Sequence, residues 1–115
     1  MKIIMSVFSL LTVVSLQAKV MNCVGTEPFW DATIDLSNGK VKITDPSNEK
    51  GVSIKTEVTP AAGTTGEFAF VAKGKYTSLV VMSNDTCSDG MSEEKYTHSV
   101  MMIGYNSQPW FGCCK

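Results

Sequence analysis

Four cysteines, one histidine and seven methionines are the side chains of this 115-residue chain with soft or nucleophilic chemistry. The cysteines, Cys23, Cys87, Cys113 and Cys114, form an even set, which in an oxidising compartment reads as two disulfides. Three pairings are possible. Neighbouring cysteines bridge each other poorly without distorting the peptide between them. Cys113 and Cys114 are therefore expected to take different partners, Cys23 and Cys87, in an order that stays open. His98 is the only histidine, so any triad or metal cluster must be built around it. It alternates with Tyr96, Val100 and Met102, the pattern of a structural histidine on a strand. No Gly-x-Ser-x-Gly elbow is present, and bridged cysteines offer no thiolate. The reading is therefore non-catalytic and without a cofactor. An alternative, soft-metal binding, would gather His98, Met101 and Met102 with other methionines and the Cys113-Cys114 pair. Methionine more often fills cores, and there is no Met-x-x-Met clustering. Asp85, Asp89, Glu93 and Glu94 surround Cys87, but their spacing is not that of an EF-hand, and they read as a solvated loop.

Glu27-Pro28-Phe29-Trp30 is the candidate binding segment. On one reading Trp30 plugs the end of a barrel. On the other, Glu27, Phe29 and Trp30 rim a mouth that accepts a small apolar ligand or a partner's loop. The two readings make different demands on Trp30.

The elements that would position these groups are strands. Trp30, Ala32, Ile34 and Leu36 alternate with Asp31, Thr33 and Asp35, and Asn38-Gly39 offers a turn before Val41 and Ile43 resume the alternation. Val52 to Val58 alternates after the breaker cluster at Asp45 to Asn48. Phe68 to Ala72 follows a breaker-rich loop. Thr77 to Met82 is nearly all apolar, as in a strand buried on both faces. After a long loop through Cys87 come Tyr96 to Met102 and a last short strand at Trp110 and Phe111. No stretch has helical periodicity. The fold class is all-β, a small antiparallel barrel, with a β-sandwich as the alternative. Closure is favoured because it removes edges.

Before the strands, residues 1–18 carry Lys2, an apolar run from Ile3 to Leu16, and Ala18. That is a signal peptide, too short to span a bilayer and ending in a small residue. Residues 19–115 then make one domain, with no transmembrane span, whose small core calls for staples. The expected location is the periplasm or the medium. The alternative is a lipid anchor on Cys23, against which Lys19 interrupts the apolar run and Asn22 is too bulky. Without Lys2, nine lysines face eleven acids, a net charge of −2, and there is no arginine. A nucleic-acid reader normally presents a clustered basic face with arginine forks, so this class is excluded.

GTEPFW at Gly25 to Trp30, CSDGMSEEKY at Cys87 to Tyr96 and the closing GCC at Gly112 to Cys114 together resemble a family of uncharacterised exported bacterial proteins. Its members are often labelled only membrane proteins or lipoproteins. An EPFW-type motif opens their domain, and a Cys-x-Asp-Gly-Met-Ser segment and a terminal cysteine follow. The resemblance implies an envelope location and a compact β-domain, not a reaction. The functional expectation is an exported binding or structural module whose partner is an envelope protein or a small apolar ligand. An inhibitor of an envelope hydrolase is the alternative on fold-level analogy.

Overall fold

A computed structural model describes residues 19–115, so the leader expectation for residues 1–18 lies outside the described residues. Eight strands follow in chain order: β1 Val20–Thr26, β2 Phe29–Asp35, β3 Lys40–Asp45, β4 Asn48–Pro60, β5 Ala69–Gly74, β6 Ser78–Ser83, β7 His98–Ile103 and β8 Trp110–Cys114. Each pairs antiparallel with the next, and β8 returns to β1, closing the barrel. The all-β barrel expected from the alternation is what forms, rather than a sandwich. Among the described residues no helix is long and apolar enough to cross a membrane.

Period-two alternation fills the interior. Ala32, Ile34, Val41 and Ile43 on β2 and β3 face Phe70, Ala72, Leu79, Val81, Val100 and Met102 from β5 to β7, and all are buried. Burying each Val, Ile, Leu, Phe or Met side chain of this set stabilises by about 1.5–3 kcal/mol. The long strand β4 turns the corner of the barrel. Its first half pairs with β3 through Lys55, and its second half pairs with β5 from Thr56 onward. Gly39, at φ 75°, ends the β2–β3 turn, and its amide donates to the Asp35 carbonyl at 2.8 Å. A side chain there would be strained.

The same alternation divides the neighbouring cysteines. Cys114 points into the barrel and bridges Cys23, its register partner on β1. Cys113 points outward and bridges Cys87. The first disulfide closes the barrel seam, and the second pins the 84–97 loop against the outside. There Cys87, Tyr96 and Cys113 bury one another over Val24.

Three expectations needed correction. No strand was foreseen before Phe29, yet β1 supplies the seam; its inward position at Gly25 carries no side chain to mark the alternation. Thr77 to Met82 is buried on one face only: Leu79 and Val81 are fully buried, while Met82 is 52% exposed. Tyr96 lies before β7 rather than in it, and packs in the outer cluster.

Candidate functional site

Because the strands run up and down, the turns gather at two ends. The end holding the β1–β2, β3–β4, β5–β6 and β7–β8 turns is closed by aromatic rings. Trp30 is 2% exposed. Its ring stacks on Trp110 at 6.5 Å, and Trp110 meets Tyr105 edge-on at 5.2 Å. Trp30 fits because its neighbours lack side chains: a Cβ on Gly25, its register partner, would lie 1.8 Å from the indole nitrogen. A Cβ on Gly112 would lie 2.8 Å from the far edge of the same ring. Among the described residues the indole Nε1 has no hydrogen-bond partner. Tyr105 donates its hydroxyl to Asp45, which also accepts from Ser47. The Ser47 and Tyr105 bonds hold the Asp45 carboxyl below the usual carboxylate range, and burial, then the Asp45 bond, pushes Tyr105 up to about 12.

The residues of the candidate rim are therefore divided. Trp30 is turned into the barrel, whereas Glu27 and Phe29 stay exposed beside it, Phe29 at 55%. A shallow hollow of about 300 Å³ runs past Phe29, Asp31, Thr44 and Asp45 on the outer side of this end.

The other end holds Lys19, the β2–β3 turn, the two long loops and the C-terminus, and among the described residues no aromatic plug closes it. A cavity of about 470 Å³ opens there, walled by Met21, Leu36, Val58, Pro60 and Phe70. Phe70, 3% exposed, forms the floor, and Met21, Leu36 and Val58 are half-buried around it. Ligand sites are commonly about 300–1,000 Å³ and mostly apolar with a few polar groups. Here the polar groups are at the rim. His98 lines the cavity and holds the 61–68 loop over it: its Nε2 donates to the Glu67 carbonyl at 2.7 Å, and its Nδ1 shares a 2.7 Å bond with the Thr97 hydroxyl. Lys19 Nζ lies 3.7 Å from the Glu67 carboxylate, both exposed.

The alternative soft-metal set is not brought together. Met102 points inward and is buried, Met101 points outward and is 44% exposed, and His98 is held by the rim loop. All four cysteines are bridged. Among the described residues no group of three or more His, Cys, Asp or Glu side chains is placed to hold a metal. In the acidic loop, Asp89 accepts bonds from the Met91 and Ser92 amides and from the Ser92 and Tyr96 hydroxyls. These bonds, the Ser92 hydroxyl first, hold its carboxyl well below the usual range.

Sequence reasoning placed interest on the EPFW turn and missed the cavity residues Met21, Leu36, Val58 and Phe70. The available signal was positional: Leu36 and Val58 are the last inward residues of alternating runs that end at one side of the barrel. No family model matches this chain, and no curated protein and no solved structure is significantly similar to it.

Proposed function

We propose that this chain is an exported, non-catalytic binding module of the cell envelope, periplasmic or secreted, that takes a small apolar ligand in the open end of its barrel. The observation that carries the reading is the 470 Å³ cavity with apolar walls at one end, opposite an end filled by three aromatic rings. Export is supported by the leader pattern in the sequence and by the commitment of every cysteine to a disulfide. A non-catalytic role is supported by the state of the reactive groups, since the cysteines are bridged and both ring nitrogens of His98 are engaged.

Titration with the neutral apolar fluorophore N-phenylnaphthylamine tests this. One saturable site is expected, lost in Val58→Asp and kept in Glu27→Gln. Equal binding by the wild type and Val58→Asp would refute the cavity as the site.

A second reading, inhibition of an envelope hydrolase, is favoured by one feature. The 84–97 loop is pinned by Cys87–Cys113 and by the Asp89 bonds, and it displays Met91 at 69% exposure. A pre-ordered loop loses little entropy on entering a partner's cleft. Met91→Ala would abolish inhibition on this reading and leave fluorophore binding intact.

A further inference from the structure

The cavity at the open end is shallow, because the barrel is filled directly beneath it. From Met21, Leu36 and His98, which line the cavity, the next inward residues along β1, β2 and β7 are Cys23, Ile34 and Val100. All three are at most 1% exposed. Cys23 is bridged to Cys114 across the seam. On these strands the interior is closed by packed side chains, as in protein cores generally.

Strand β5 is built differently. Phe70 is paired with Pro60, a wall of the cavity, on one side and with fully buried Val81 on the other. The next inward residue on its own strand is Ala72, fully buried but small. On β5, then, the ring of Phe70 is the bulk that separates the cavity from the middle of the barrel. Successive inward residues on a strand are about 6.6 Å apart, two rises of about 3.3 Å, and the cavity is about one such step deep. An extended chain advances about 1.2 Å per bond, since three backbone bonds span about 3.6 Å. One step therefore takes roughly six carbons. The acyl chain of a bilayer leaflet is about 15 Å long, more than twice that depth.

We propose that Phe70 sets the length of ligand this barrel accepts. Its ring is a stop that admits roughly six carbons of an apolar chain, or a ring system of similar depth, and leaves the rest of a longer molecule outside. The inference rests on the reading of the open end as a binding site and adds its size class: short-chain or compact apolar compounds, not full-length acyl chains. Size rather than charge draws this class, since Lys19 and Glu67 at the mouth are of opposite sign and 3.7 Å apart.

Displacement of N-phenylnaphthylamine from the disulfide-bonded protein by n-alkanols, butanol to dodecanol, is the test. Affinity should rise about fourfold with each methylene that enters the site, up to about six to eight carbons, and then level off. Phe70→Ala should move that break to longer chains by at least about three carbons, because part of the next step opens over Ala72. Phe70→Leu should move it the same way by less, and it carries the test should Phe70→Ala prove misfolded by circular dichroism. Ile43→Val removes bulk from the interior away from the cavity and should leave the break in place, whereas a general loosening of the barrel would move it in every variant. An unbroken rise through dodecanol in the wild type would overturn the stop and leave the binding site standing. So would a break that the Phe70 variants leave unmoved, or that Ile43→Val moves equally. Absence of fluorophore binding, or of displacement by any alkanol, would refute the open end as the site and this inference with it.

Discussion

The two ends of the barrel are built by the same alternation and end differently. At one, the last inward residues are Trp30 and Trp110, joined by Tyr105, and the rings fill the opening. At the other, they are Met21, Leu36 and Val58, too small to meet across it, and a cavity remains. Closure is also a matter of absent side chains. Trp30 lies flat against Gly25 and Gly112, on strands that flank the seam. The glycine of the GTEPFW segment makes space for the indole ring, and that of the GCC segment makes space for the Val24 carbonyl first and the ring second; neither has a positive φ. A closed end carries stability, and an open end leaves room for a ligand.

That contrast is broken most severely at Trp30. Trp30→Ala should cost about 3–5 kcal/mol in chemical denaturation, the usual penalty for removing a large buried aromatic. A domain of this size has a total stability on the order of 5–15 kcal/mol, so much of the protein would melt early. An unchanged midpoint would show that Trp30 does not close the end. Gly25→Ala comes next. Its Cβ would fall on the indole nitrogen, and the overpacking should cost about 1–3 kcal/mol. A neutral effect would mean that the ring moves aside freely.

How much of this was legible in the sequence follows from which contacts are local. Period-two alternation over Trp30 to Leu36 and Val52 to Val58 specified strands and their inward faces. The same period sends Cys113 and Cys114 to opposite sides of β8. The partner order was not legible, because it depends on β8 returning beside β1 and on the path of the 84–97 loop. β1 was missed because Gly25 interrupts its apolar face, and the reason for that glycine, Trp30, lies on the next strand. Which end stays open was hidden for the same reason. Trp30 is far along the chain from Tyr105 and Trp110, and it meets them only once the barrel closes.

A smaller effect separates the ends by pH. Burial and the Asp45 bond raise Tyr105 to about 12, above its ordinary value near 10. The neutral phenol is therefore favoured in the fold, and the unfolded chain ionises first. The stabilisation is complete below pH 10 and is lost as pH rises towards 12. Thermal melts over this window should show a falling melting temperature, with a shallower slope in Tyr105→Phe. Tyr96, also raised by burial and then by its Asp89 bond, should leave a residual slope. An identical slope in the variant would contradict the raised titration of Tyr105.

The smallest effect on stability is expected at the open end. Val58→Asp places a carboxylate on a half-exposed wall, and the loss should stay within about 1 kcal/mol, near the range of surface substitutions. A loss as large as that of Trp30→Ala would mean that the mouth is packed rather than open.

The most direct measurement of the central claim is an NMR titration with N-phenylnaphthylamine that follows methyl and indole signals together. Saturable shifts are expected at the methyls of Met21, Leu36 and Val58, with the indole signals of Trp30 and Trp110 unmoved. Shifts confined to the indoles, or no saturable shift at the three methyls, would contradict the assignment of the open end as the binding site.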